Sequence, residues 1–246
     1  MLGIKSSSRK LNKEEAEKPF WISYSDLMTA LMVLFLVVMA AALLSVTAGI
    51  RDNAARENNR TQYIGSCMAQ VNVYTDTIHG VKLREHSVDF GTLAKFQNNS
   101  SELNQEQQQF LRRFIPRVLA IARGPVCQEW LKRIVVEGFA SQGGTYLHNL
   151  DLSTQRSERV LCTLLASGGT PALSEADRNL VENLFFAGGY SFNATRDTDE
   201  ESRRIELKLE FYALKEKQEA LLQRRQAPLA LWATPARDTT CPIDAR

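Results

Sequence analysis

The feature that most constrains this chain is an apolar run over residues 27–46 that begins directly after an acidic residue, Asp26. Such a run can span the hydrocarbon core of a bilayer, which needs about 20 helical residues at about 1.5 Å each. A carboxylate inside a membrane segment costs up to roughly 3 kcal/mol, so an Asp kept there indicates ion passage. The sequence therefore predicts a single-pass membrane protein, in contact with the lipid bilayer, with Asp26 as its ion-carrying residue.

Two other interpretations of this segment stay open. Asp26 could be the N-cap of the membrane helix, because Ser23 and Ser25 beside it are also good capping residues. The run could also be a cleaved signal peptide, since the small residues at 46–48 follow it and lysines precede it. Against the signal peptide, the run exceeds the usual length of about 7–15 residues, and glutamates mix with the lysines ahead of it.

Charge and aromatic residues orient the span. Basic residues are more numerous before the apolar run than after it, which favours a cytoplasmic N-terminus. Phe20, Trp21 and Tyr24 suit the aromatic belt at a membrane interface. We expect a cytoplasmic segment at 1–20, a transmembrane helix at 21–46, and all later residues outside the cytoplasm.

The cysteines fit that orientation. All four lie beyond the span, in an oxidising compartment, and none has the close spacing of a zinc site. Disulfides are therefore predicted, with free buried thiols as the alternative, and four cysteines allow three pairings. The candidates are Cys67, Cys127, Cys162 and Cys241.

Composition narrows the function classes. A formal net charge of +2 and a pI near 8.3 give no case for nucleic acid binding. The histidines are scattered, and no nucleophile, metal or nucleotide motif is evident, so neither an enzyme nor a cofactor is predicted. About 200 residues after the span suffice for one domain with a real core.

Periodicity divides the exported part. Polar residues at 47–79 predict a helical connector. The pattern of residues 80–212 predicts an α/β domain with a mixed sheet and helices on one side, and residues 213–246 are predicted to form a C-terminal helical tail. Alternating or β-branched residues predict strands, and an apolar face at helical spacing predicts helices. The predicted order is strand 88–91, helix 106–122, strand 131–136, helix 153–167, a strand within 185–192 and strand 204–211.

Two family resemblances follow from short motifs. The membrane segment, with Tyr24 two residues before Asp26 and Met28-Thr29-Ala30 after it, resembles the helix of MotB-type flagellar stator proteins. Residues 80–212 resemble the OmpA-like peptidoglycan-binding fold. The signatures of that fold are Phe90-Gly91, Val136-Glu137-Gly138, Asn149 with Leu152-Ser153 and Arg156, and Arg203-Arg204-Ile205-Glu206-Leu207. The short connector and the membrane motif are most similar to the stator-like subunits of Zorya anti-phage systems.

The resemblance to stators implies a mechanism. It implies a homodimer of this chain in the bacterial inner membrane, inside a ring of MotA-like A subunits, with five A to two B subunits. Asp26 would take up and release a proton, and Tyr24, Thr29, Ala30 and Val33 would line the channel. Thr29, Ala30 and Val33 fall on the same helix face as Asp26. The alternatives are a flagellar stator and a passive tether from inner membrane to cell wall.

The resemblance to OmpA-like domains implies a cell-wall site. In that family an Asp and an Arg hold the diaminopimelate of the peptide stem. Arg156 occupies the Arg position, but Ser141 stands at the Asp position and cannot supply the missing charge. The resemblance implies peptidoglycan binding by Arg156, Asn149, Leu152, His148 and Ser141. The missing charge implies either weaker binding or a replacement of the lost contact by Asn149 and Asp151.

Overall fold

The structure, a computed structural model, describes residues 14–226 and 241–245. Residues 1–13 of the predicted cytoplasmic segment and residues 227–240 and 246 of the predicted C-terminal tail lie outside that part. The chain divides into two compact units, Met1–Arg56 and Glu57–Arg246. The helix α1 extends from Glu14 to Asp76 and contributes residues to both units.

In the first unit, α1 is apolar and exposed. Its best 18-residue window has a mean hydropathy of 2.8, with none of the window buried inside the protein, and the helix is long enough to cross a membrane. Side chains such as Leu31, Phe35 and Leu44 are more than half exposed. Contiguous apolar surface of this extent needs a lipid or protein partner in place of water.

The second unit is built around a five-stranded mixed sheet. Its strands are β1 (Lys82–Arg84), β2 (Ser87–Asp89), β3 (Leu131–Gly138), β4 (Phe185–Gly189) and β5 (Ile205–Phe211). They are arranged in the order β1-β2-β5-β3-β4, and every neighbouring pair is antiparallel except β3 with β4. The helices are α2 (Gln105–Ala122), α3 (Tyr146–Leu165), α4 (Glu175–Leu184), α5 (Asp199–Ser202) and α6 (Leu214–Gln226).

Alternation along the central strands explains why helices cover one face of the sheet. Successive side chains of a strand point to opposite faces. Ile205, Leu207 and Leu209 of β5 are buried in the apolar core with α2 and α3 residues. The opposite face carries ion pairs, including Arg133 with Glu210 at 2.6 Å. The predicted fold class, an apolar N-terminal helix followed by a mixed sheet with helices on one side, is confirmed.

Two glycines let α3 lie very close to the sheet. Gly138 of β3 and Gly189 of β4 are paired in the parallel ladder. A Cβ atom on Gly138 would come within 1.9 Å of the Ser153 carbonyl oxygen, and one on Gly189 within 2.7 Å of the Thr154 nitrogen. Only glycine therefore fits at either position, and α3 is fixed directly over the ends of β3 and β4.

The end of α1 belongs to the core of the second unit, which corrects the domain boundary. Residues 47–79 were expected to be a connector, with the domain beginning at residue 80, yet the compact unit begins at Glu57. Ile64, Met68 and Val71 are buried against the other core residues. Their i, i+4, i+7 spacing is that of a core-facing helix, but the surrounding Asn, Arg and Gln residues obscured it.

Other elements differ from the predicted order. Helix α3 begins at Tyr146 instead of residue 153, and Thr145 caps it by accepting a hydrogen bond from the His148 amide. Helix α4 was not predicted, since its apolar face is short: Val181 is buried, and Leu180 and Leu184 are partly buried against the core. Strand β1 is only three residues long and was also missed.

Two disulfides join distant parts of the second unit. Cys67 on α1 is bonded to Cys127, 60 residues later, and both are buried. Cys162 on α3 is bonded to Cys241, 79 residues later. An ion pair between Arg159 and Asp244, at 2.6 Å, adds a second attachment of the C-terminal residues to α3.

Candidate functional site

Asp26 lies inside α1 and does not cap it. The helix begins at Glu14, so about three turns precede Asp26. An N-cap residue flanks the first turn and has a non-helical backbone. The capping interpretation therefore does not fit the helix, and a carboxylate at the start of its apolar run needs another reason.

The predicted channel residues divide into two groups around the helix. Thr29, Ala30 and Val33 follow Asp26 at i+3, i+4 and i+7, so they share its face. The Thr29 hydroxyl donates a hydrogen bond to the Asp26 carbonyl oxygen at 2.9 Å. Tyr24, at i−2, lies on a different side of the helix, since positions two apart do not face each other.

In the second unit, the predicted wall-binding residues gather where two loops meet α3. One loop, residues 97–104, leads into α2, and the other, residues 139–145, leads from β3 into α3. Arg156 of α3 is bonded to both loops. We call this surface, formed by the two loops and the first turns of α3, the α3 face.

Arg156 connects the loops through their main chains. Its Nε donates to the Ser100 carbonyl oxygen at 3.0 Å, Nη1 to that of Phe139 at 2.7 Å, and Nη2 to that of Gln97 at 3.1 Å. The guanidinium also lies 5.1 Å from the centre of the Phe96 ring. The side chain is fully buried, so in this conformation it shapes the α3 face from beneath.

The charge of Arg156 is uncompensated within the described residues. All three hydrogen bonds of Arg156 end on carbonyl oxygens, and none of the ion pairs within residues 14–226 and 241–245 includes it. Burial, and then repulsion from Arg203, lowers the pKa of Arg156 to about 10, so the group is still cationic at neutral pH. A buried cation without an ion-pair partner is costly, and a carboxylate bound nearby would reduce that cost.

The other predicted wall-binding residues surround Arg156 at different depths. Asn149 is buried, and its Nδ2 donates to the Gly143 carbonyl oxygen at 2.6 Å, which holds the loop against α3. Ser141 and Leu152 are also almost fully buried. His148 is exposed, and its Nε2 lies 2.8 Å from Oδ1 of Asn99. Among the five, His148 is therefore the side chain most accessible to a ligand.

Sequence reasoning missed the contribution of the loop at 97–104. Gln97 and Ser100 provide acceptors for Arg156, and Asn99 contacts His148. The sequence does mark this segment as a loop, because Asn104 and Gln107 form a capping box at the start of α2. The polar run before a capping box is a loop, but its distance from α3 along the chain concealed the contact.

Comparisons with known proteins find one matching family model and several similar solved structures. The family model described as the membrane MotB of the proton-channel complex MotA/MotB matches residues 5–48. Among solved structures, the periplasmic domain of Helicobacter pylori MotB is similar at 15% identity, covering 60% of this chain and 92% of that one, with a TM-score of 0.39. The OmpA-like domain of FopA1 from Francisella tularensis is similar at 19% identity, covering 54% and 82%, with a TM-score of 0.36.

A curated relative matches nearly the whole chain. The Zorya protein ZorB of Escherichia coli O139:H28 (strain E24377A / ETEC) is 41% identical over 224 residues. That alignment covers 89% of this chain and 91% of the relative, so it includes the apolar helix and the mixed-sheet domain together. The chain belongs to the family of the Zorya protein ZorB.

Proposed function

We propose that this chain is the wall-anchored B subunit of a proton-driven rotary motor in anti-phage defence. Asp26 carries the proton, and the α3 face binds peptidoglycan. The partner is a ring of MotA-like A subunits around two copies of this chain, with five A subunits expected. The N-terminus is cytoplasmic, and the second unit is periplasmic.

The observation that carries the motor proposal is the position of Asp26. It lies about three turns after the start of α1 and directly before the apolar run, in the segment that the MotB family model matches. A capping role would have explained the carboxylate without any transport, and that role does not fit this helix. Transfer of one charge across a membrane releases about 2.3 kcal/mol per 100 mV, enough to bias a packed interface between two arrangements.

The wall anchor is supported by the charge of the α3 face. Arg156 provides a buried cation without an ion-pair partner in the part of the chain that the structure describes, and His148 and Asn99 provide exposed polar atoms above it. Peptide stems of the cell wall carry carboxylates that suit such a site. Ser141 replaces the family Asp, so the site has no carboxylate at that position for an amine.

The choice between defence and motility depends on the similarity to ZorB over most of both chains. A flagellar stator would share the membrane motif and the domain type. The near full-length match with a Zorya protein favours defence.

The test of the motor is Asp26→Asn in cells that carry the complete defence system. The amide is nearly the same size as the carboxylate but cannot titrate near neutral pH, so proton transfer stops while assembly persists. We expect normal membrane levels, normal recovery with the A subunit, and loss of phage protection. Asp52→Asn, a change of the same kind at an exposed position later in α1, is the matched control and retains protection.

Full protection by a normally assembled Asp26→Asn protein would overturn the motor and leave the passive tether. The anchor has its own test, because the wild-type chain should pellet with purified sacculi. A chain that stays in the supernatant would remove wall binding while leaving the proton-carrying role of Asp26 intact.

A further inference from the structure

An exposed aromatic patch adjoins the α3 face. Tyr146 and Leu147, the first two residues of α3, are 44% and 73% exposed, and the Phe192 ring packs against Tyr146. The core of the second unit does not need these side chains, because they lie on its surface. Clustered exposed apolar side chains with a polar rim are typical of binding surfaces.

Tyr146 is held in one position by its neighbours. Its ring and that of Phe192 are 5.6 Å apart between centroids and nearly perpendicular, at 87°. The Ser191 hydroxyl donates to the Tyr146 carbonyl oxygen at 3.0 Å, and Asn193 Nδ2 donates to its phenolic oxygen at 3.4 Å. A fixed tyrosine offers a large contact area and loses little conformational entropy on binding.

The patch is continuous with the proposed wall site. Tyr146 lies one turn before Asn149 on α3, and His148 between them contacts the loop at 97–104 through Asn99. Tyr146 precedes Arg156 by about 15 Å along α3 at about 1.5 Å per residue, so a ligand whose carboxylate approaches the Arg156 region reaches Tyr146 with groups several bonds further along its peptide stem. In peptidoglycan the group attached to the peptide stem is a glycan strand of N-acetylated amino sugars.

The chemistry of the patch suits a sugar ring. A pyranose has an apolar C–H face that stacks on an aromatic ring, and hydroxyl or acetamido groups at its edge that form hydrogen bonds. Tyr146 supplies the ring, while its phenolic oxygen and the Asn193 amide supply polar atoms beside it. We propose that Tyr146 and Asn193 form a sugar subsite for the glycan strand, an inference that rests on the proposed wall binding at the α3 face.

The experiment compares two ligands on the full-length chain in nanodiscs. One is a disaccharide-peptide released from peptidoglycan, and the other is the same peptide stem without its sugars. We expect the wild type to bind the disaccharide-peptide more tightly. Tyr146→Ala should lower that affinity about three- to tenfold, the range for one aromatic contact, and leave affinity for the bare stem unchanged.

Two controls accompany it. Tyr146→Phe retains the ring and should retain most of the sugar-dependent affinity. Phe186→Ala removes an aromatic side chain of similar exposure, 49%, from the sheet and should change neither affinity.

Other outcomes of these binding measurements would overturn the sugar subsite. Equal wild-type affinity for the two ligands, or no effect of Tyr146→Ala, overturns the sugar subsite and leaves the wall anchor standing. Wild-type binding of neither ligand overturns the anchor together with the subsite. A Tyr146→Ala protein that self-associates less but binds both ligands normally assigns the patch to a second copy of the chain.

Discussion

At the scale of single residues, Arg156 has a structural role and a proposed electrostatic role, and both depend on its buried position. It orders the loop at 97–104 by binding the Gln97 and Ser100 carbonyl oxygens, and it brings positive charge beneath the α3 face. The geometry of the binding surface therefore depends on a side chain that is itself hidden from solvent. A variant at this position changes folding and binding together, so it needs a partner variant that changes binding alone.

We expect Arg156→Ala to lower the free energy of unfolding by roughly 3 kcal/mol, since three carbonyl oxygens, one of them in a fully buried hydrogen bond, lose their charged donor. It should also abolish pelleting with sacculi. His148→Ala is the matched change at the exposed end of the same surface. Its unfolding free energy should stay within about 0.5 kcal/mol of wild type while sacculus binding falls.

Unfolding in detergent and sacculus pelleting, measured on both variants, separate the two roles. Wild-type stability of Arg156→Ala would mean that its carbonyl contacts do not hold the loop. Undiminished pelleting of His148→Ala would remove that side chain from the site.

The sequence was sufficient to locate Arg156 but not to predict its environment. Its position follows from the local Asn, Leu-Ser, Arg pattern on α3, which short motifs specify. Its burial follows from contacts with Gln97, Ser100 and Phe139, which lie 17 to 59 residues away along the chain. Only the folded backbone brings those carbonyl oxygens together.

At the scale of elements, the sequence predicted the helices and strands whose apolar residues recur at a clear period, and it missed those whose period is weak. Strand β5 alternates strictly, and its predicted span of 204–211 differs from the observed Ile205–Phe211 by one residue. The start of α3, Tyr146 to Leu152, was missed because most of its side chains are exposed and its two buried ones, Asn149 and Leu152, do not form an apolar stripe. Several of these residues belong to the surface proposed for binding, so the helix there does not show the periodicity of a core-facing helix.

The sheet contains a charge cluster that predicts acid sensitivity. Burial would raise the pKa of Glu206, but hydrogen bonds from Arg204 at 2.6 Å, Ser87 at 2.9 Å and Arg196 at 2.8 Å hold it below its ordinary value of 4.5. A carboxyl whose pKa is depressed in the folded state stabilises the fold above its ordinary pKa. That stabilisation is lost as pH falls through the folded-state pKa, below about 4.5.

Glu206→Gln should therefore lower the unfolding free energy at pH 7 by about 1.5–3 kcal/mol, the range for hydrogen bonds to a charged group. The difference from wild type should shrink as pH falls toward 3. Glu210→Gln on the same strand removes a carboxylate whose side chain is 29% exposed. It should lower the unfolding free energy less than Glu206→Gln does. Denaturant unfolding between pH 3 and 7 checks both, and a Glu206→Gln deficit that persists at pH 3 would contradict the explanation.

At the scale of the whole molecule, the two units differ in how far the sequence alone reveals them. The apolar helix of the first unit is evident from composition, because a membrane segment is defined by a local run of residues. The second unit depends on long-range contacts, and its lower boundary was misplaced because the end of α1 looks polar while contributing Ile64 and Val71 to the core. The cysteine pairing likewise required the fold, since the sequence allowed three pairings.

The pairing gives a prediction for the second unit as a whole. Each disulfide closes a long loop, 60 residues for Cys67–Cys127 and 79 for Cys162–Cys241, so each restricts the unfolded chain and should contribute on the order of 2–4 kcal/mol. Mass analysis should find no alkylated cysteine before reduction and four after it. Peptide mapping should recover these two pairs.

Paired Cys→Ser variants separate the two disulfides. Replacing Cys162 and Cys241, which are half-buried, should lower the unfolding free energy only by the contribution of loop closure in the unfolded chain. Replacing Cys67 and Cys127, which are buried, should cost more, because two hydroxyl groups then lie in the core without assured partners. Both are measured as unfolding free energies in detergent against the wild-type chain. Four alkylated cysteines in unreduced protein, or equal stability of both variants and wild type, would contradict a disulfide role in holding the end of α1 and the C-terminal residues to the domain.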